Sequence, residues 1–129
     1  MTAQQITCDI SVKVESYYQP TTSIPEDNHF VFAYRVTIQN LGSKTVKLLS
    51  RHWQIVEADG NRREVEGQGV IGRQPVIEPG ENHQYFSGCN LQTPVGKMYG
   101  FYTMEHYKDG NQFKVEIPEF VMAATFALN

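Results

Sequence analysis

The sequence predicts an all-β domain, a two-sheet antiparallel β-sandwich of seven to eight strands, and three observations carry that prediction. Apolar and polar residues alternate with period two over most of the chain, as they do where alternate side chains of an extended strand share a face. Turn-forming residues recur at intervals of roughly a dozen residues. No stretch between them has the 3.6-residue periodicity of an amphipathic helix. A closed barrel is the alternative, because pattern alone separates the two poorly. The 129 residues read as a single domain, 1–129, long enough to bury one core.

Along the chain, Ile6, Cys8, Ile10, Val12 and Val14 share one face of a first half-buried strand, with Thr7, Asp9, Ser11, Lys13 and Glu15 opposite. Residues 19–28 are turn chemistry throughout, including Pro20 and Pro25. Phe30, Phe32, Tyr34, Val36 and Ile38 line a second strand, and Asn40-Leu41-Gly42-Ser43 ends it. The third run, 45–57, is apolar on both faces around Leu48, Leu49, Trp53, Ile55 and Val56, which predicts a strand in the middle of a sheet. Asp59-Gly60 returns the chain as a hairpin into 62–66. After a glycine-rich loop and Pro79-Gly80, strands resume at 83–90 and 97–107, and Asp109-Gly110 turns the chain into 112–117. Pro118 cannot donate to a ladder, so a bend or an edge position is expected before 120–126.

Apolar residues make up 40% and charged residues 19%, a globular composition, and the 12% aromatics suit pleated surfaces. A net charge of −3 excludes a globally basic nucleic-acid binder and leaves room for a local basic patch. No run approaches the roughly twenty apolar residues of a membrane span. Met1-Thr2-Ala3-Gln4-Gln5 has neither the basic start nor the apolar stretch of a secretory signal, so cytoplasmic residence is expected. Cys8 and Cys89 fit no metal-ligand spacing and are expected to be reduced, half-buried thiols.

Gly67-Gln68-Gly69-Val70-Ile71-Gly72 has the spacing of a dinucleotide fingerprint, which needs a buried strand before it and a helix N-terminus after it. The preceding residues 61–66 are short and polar, and Pro75 and Pro79 leave no room for a helix, so no Rossmann site is expected. A glycine loop can still cradle an anion through successive N–H groups, and Arg62, Arg63 and Arg73 flank this one. Gly67, Gly69, Gly72, Arg62, Arg63 and Arg73 are therefore the candidate anion-binding set. The plainer reading is that the glycines serve turn geometry and the arginines solvate a face.

His29, His52, His83 and His106 show no metal-site spacing, and Glu26-Asp27-Asn28-His29 and Glu81-Asn82-His83 read as solvated loops. No metal or cofactor is expected. Ser87-Gly88-Cys89 lacks the strand-to-helix turn of a nucleophile elbow, Cys89 reads as a structural thiol, and His52 as a hydrogen-bonded sheet histidine. Tyr99, Phe101, Tyr102 and Tyr107 read as cross-strand packing. Catalysis is not expected.

Several motifs resemble one family in order along the chain. They are Val31 through Ile38, Asn40-Leu41-Gly42, Arg51-His52-Trp53-Gln54-Ile55, the run from Gly67 to Pro75, and Pro79-Gly80-Glu81. Tyr85-Phe86-Ser87-Gly88, the run from Thr93 to Gly100 and the run from Phe113 to Phe120 follow. Together they resemble the ApaG family over essentially the whole chain. That resemblance implies an immunoglobulin-like, fibronectin-III-like sandwich of bacterial origin, reused in eukaryotic F-box proteins and a polymerase-delta-interacting protein as an interaction module. It implies a genetic association with cobalt and magnesium efflux and resistance, and with an operon for diadenosine tetraphosphate hydrolysis. A pyrophosphate or nucleotide ligand is suspected in the family because of the glycine motif. Arg73, at a variable position, and Thr125, in place of an expected proline, depart from the pattern.

The function expected is a non-catalytic module that binds a protein partner through its loops, above all 67–75, or through an exposed sheet face. The alternative is pyrophosphate or dinucleoside polyphosphate binding at the glycine loop. Hydrolysis of such a nucleotide has no general base or convergent carboxylates to rest on. Edge strands could pair two copies, though nothing in the sequence specifies a homodimer.

Overall fold

The computed structural model describes residues 1–128. The period-two segments become β1 (Thr2–Thr7), β2 (Ile10–Tyr18), β3 (Phe30–Asn40), β4 (Val46–Glu57) and β5 (Arg62–Gln68). The two-residue β6 (Val76–Ile77), then β7 (Asn82–Leu91), β8 (Val95–His106) and β9 (Gln112–Ala123), complete them. One antiparallel sheet has the order β1-β2-β3-β7; the other has β5-β4-β8-β9, with β6 beside the start of β4. The chain crosses between sheets from β3 to β4, returns to place β7 beside β3, and crosses again to place β8 beside β4. This is the Greek-key connectivity of an immunoglobulin-like sandwich. No helix among the described residues is long and apolar enough to cross a membrane.

Alternation explains the core. On β3 the side chains of Phe30, Phe32, Tyr34, Val36 and Ile38 are buried while their neighbours are half-buried. Burying each such side chain contributes roughly 1.5–3 kcal/mol. The Tyr34 ring meets Trp53 of β4 at 5.8 Å and Phe120 of β9 at 5.6 Å, an aromatic cluster spanning both sheets. Deeper between the layers, the buried hydroxyls of Tyr85 on β7 and Tyr102 on β8 are hydrogen-bonded to each other. β4 lies inside its sheet, as its two-faced apolar run predicts, and β9 stays one edge strand with a register shift opposite Met98 and Gly100, next to Pro118. The residues after it form a 3-10 turn, Thr125–Leu128.

Two expectations fail at the N-terminus. The single strand from Ile6 to Val14 is a hairpin: Thr7 pairs with Ile10, and Cys8 and Asp9 both take left-handed backbone, φ 50° and 63°. Neither is the glycine or asparagine that usually announces a two-residue turn, and the alternation runs on through it unbroken. Cys8 is consequently exposed on the turn rather than half-buried, whereas Cys89 is buried. This split and β6 each add a strand, while the expected strands at 112–117 and 120–126 run together as β9, which ends at Ala123, so the described residues form nine strands rather than seven or eight.

The two long edges of the sandwich differ. Along one, β9 packs against β1 and β2, the Glu116 N–H donates to Thr7 Oγ1 at 3.3 Å, and the Ser16 hydroxyl donates to the Val121 carbonyl at 3.0 Å. Along the other, between β5 and β7, the sheets part around a cleft of about 330 Å³.

Candidate functional site

The glycine loop forms where β5 leaves its sheet. Val70 and Arg73 exchange backbone hydrogen bonds of 2.7 and 3.1 Å, with Ile71 (φ 49°) and Gly72 (φ 70°) between them, so the tip is a two-residue hairpin turn. The turn hangs from the core by buried Val70. Gly69, at φ 62°, runs so close to the returning chain that a Cβ would stand 2.0 Å from the Arg73 carbonyl oxygen. The Gly69 N–H donates to the Leu49 carbonyl at 2.8 Å, and Gln74 Nε2 donates to the same oxygen at 2.9 Å. The N–H groups of residues 69, 70 and 73 are thus occupied within the protein, leaving those of Ile71 and Gly72 at the tip.

The three flanking arginines do not converge. Strand alternation sends Arg62 to the outer face, where it donates to the Tyr99 hydroxyl at 2.9 Å. Arg63 turns the other way, into the open seam, and donates to the Asn90 carbonyl of β7. Arg73 stays at the turn, where burial and the Arg73 charge together hold His83 below its usual range.

A fourth arginine, not singled out from sequence, joins the loop to the seam. Arg51 Nη1 donates to the carbonyls of Gln68 (3.2 Å) and Gly69 (2.9 Å), and a Cβ on Gly67 would stand 2.7 Å from Arg51 Nη2. Gly67 therefore exists to let that guanidinium lie across the strand. Arg51 and Arg63 face the cleft, whose walls include Tyr34, Trp53, Ser87 and Cys89. Burial pushes the Cys89 thiol up, with Arg63 pulling the other way, and burial likewise raises Tyr34.

The outer face of β4 and β5 carries a cluster that sequence reading missed. His52 Nε2 lies 2.8 Å from Glu64 and Nδ1 2.7 Å from Glu66, while the ring stacks on Phe101 at 4.9 Å. Lys114 caps Phe101, its Nζ 4.5 Å from the ring centre. The signal was available in the hairpin register. A three-residue turn at Ala58-Asp59-Gly60 places Gln54 opposite Glu64 and His52 opposite Glu66. These three side chains offer one imidazole and two carboxylates within 4.8 Å, but both ring nitrogens already face carboxylates, so a cation would have to displace one. His29, His83 and His106 join no such group among the described residues.

Fold and site define the class: an immunoglobulin-like β-sandwich whose distinctive features lie on one loop and one open seam. The chain belongs to the ApaG family, whose domain model matches residues 20–106. It is 51% identical over 115 residues to Protein ApaG of Brucella abortus, covering 89% of this chain and 88% of the relative. It is 53% identical over 116 residues to Protein ApaG of Paramagnetospirillum magneticum, covering 90% and 88%. A crystal structure of a Bordetella pertussis protein called ApaA superposes with a TM-score of 0.88 at 43% identity, covering 91% of this chain and 94% of that one. An Archaeoglobus fulgidus protein with a TM-score of 0.51 at 11% identity, covering 87% and 95%, shares the fold alone.

Proposed function

We propose that this ApaG-family chain is a non-catalytic binding module that recognises a protein partner through the turn at Val70–Arg73. The observation that carries the reading is Ile71. It is 60% exposed, and it holds a β-branched side chain in left-handed backbone. That conformation costs roughly 1–2 kcal/mol, which glycine or asparagine at the same place would largely avoid. An exposed apolar side chain held in strained backbone at the tip of a turn is placed for contact rather than for packing within the domain. Exposed Val76 and Val65 extend apolar surface on the same sheet edge.

The test is an Ile71→Gly variant compared with the native chain in stability and in partner capture from a lysate of the source cells. The reading expects stability to rise and a specific partner to be lost. Capture of the same partner by both chains would remove the turn from the interface. Pyrophosphate or nucleotide binding at this loop would have to rest on the Ile71 and Gly72 N–H groups and on Arg73, with Arg62 and Arg63 directed elsewhere. Titration of an Arg73→Ala variant with pyrophosphate addresses it directly.

A further inference from the structure

We propose that the cleft at the open seam binds a compact organic oxyanion, a carboxylate or phosphate monoester carried on a small apolar body. The first argument is charge. Arg51 and Arg63 both face the cleft, and no acidic residue lines it. Among the described residues neither guanidinium has a carboxylate within ion-pair distance, unlike Arg35, which is held by Glu15 at 2.7 Å. Two like charges facing one cleft repel each other, and an anion between them reverses the sign of that interaction.

The second argument is unfilled donor capacity. Arg51 donates through Nη1 alone and Arg63 through Nη2 alone, to main-chain carbonyls and, for Arg63, the Cys89 sulfur at 3.6 Å. The remaining guanidinium N–H groups have no protein partner among the described residues. A guanidinium edge offers paired parallel donors, the geometry that carboxylate and phosphate oxygens accept in a bidentate way.

Shape supplies the third. The cleft holds about 330 Å³, at the small end of the ligand-pocket range of roughly 300–1,000 Å³, which suits one ring with one charged head. Val65, Ile55 and Met98 line it beside the indole of Trp53, and Ser87 adds a hydroxyl. The anion head meets the arginines while the body lies against the apolar wall. Ile71 and Gly72 do not line this cleft, so an Ile71→Gly variant that keeps its partner leaves this proposal standing.

The experiment titrates the full chain at low salt with phenyl phosphate, benzoate and, as an uncharged control, benzyl alcohol. At least one anion binds saturably and the alcohol does not; whichever anion binds more tightly identifies the head group. Arg63→Gln weakens that binding about tenfold or more, whereas Arg62→Gln, on the opposite face, leaves it within about twofold. A second readout needs no variant. Saturating anion slows alkylation of Cys89, in the cleft wall, and leaves Cys8 on its distant turn unaffected. The proposal is overturned if neither anion binds saturably, if Arg62→Gln weakens binding as much as Arg63→Gln, or if Cys89 alkylates at the same rate with and without bound anion.

Discussion

Arg63 on β5 donates its guanidinium hydrogen bond to the main-chain carbonyl of Asn90 on β7, tying the edge strand of one sheet to the edge strand of the other. No backbone ladder joins these strands, so at this edge a side chain does the joining.

Removing that tie has a measurable effect. A hydrogen bond from a charged donor contributes about 1.5–3 kcal/mol when shielded, and solvent screening at exposed Arg63 brings it below that range. Arg63→Ala is expected to lower the urea unfolding free energy by about 1 kcal/mol without changing its denaturant slope. Arg62→Ala, which loses only an exposed contact to Tyr99, should stay within about 0.5 kcal/mol of the native chain. Equal losses in the two variants would deny the tie any special role.

Gly100 sets the spacing of β4 and β8. A Cβ there would stand 1.9 Å from the His52 carbonyl oxygen, so the central pair of strands would have to part. Gly100→Ala should destabilise the domain by about 3 kcal/mol or more, visible as lost soluble expression or a much lower thermal midpoint. A variant with a native midpoint would show that β8 can shift without penalty.

The turn at Cys8-Asp9 predicts a gain. Both residues have positive φ, and Asn-Gly adopts that geometry with less strain. The double substitution Cys8→Asn/Asp9→Gly should raise stability by about 1 kcal/mol, read as a higher thermal midpoint. A lower midpoint would mean that the side chains present hold the hairpin in another way.

The buried tyrosines predict the alkaline limit of the fold. Burial raises Tyr34, Tyr85 and Tyr102 above their ordinary value of 10.0. Above that pH the unfolded chain releases protons that the folded chain retains. Unfolding is therefore progressively favoured from pH 10 upward, while the same groups contribute no slope below it. Chemical unfolding from pH 8 to pH 11 should show a stability that is flat at first and then falls. Tyrosine absorbance of the folded protein should titrate incompletely until it unfolds. A decline beginning near neutrality would assign the sensitivity to other groups.

Much of the architecture was legible because burial writes itself into alternate residues. β3, with Phe30, Phe32, Tyr34, Val36 and Ile38 buried, is the clearest case. The break at Cys8-Asp9 was invisible because the alternation continues through a turn made of residues that seldom form one. The site was less legible, since it depends on what lies opposite what. Adjacent in sequence, Arg62 and Arg63 end on opposite faces of β5, whereas His52 and Glu66 come within 2.7 Å through hairpin register. Arg51 looked like part of a strand motif. Only the depth of the loop shows it gripping the carbonyls of Gln68 and Gly69.

The unequal edges of the sandwich would let its two sheets part more readily on one side than on the other. With β9 fastened against β1 and β2 on one side, and the other held by Arg63 across the cleft and by the Glu57 carboxylate, which accepts from the Gln92 N–H, the sheets would part first at the cleft. Amide protons of β5 and β7 would exchange with solvent early in that motion, those of β2, β3 and β8 late. A molecule lodged between the parted sheets would act as a wedge or a clasp, setting how far the covers open.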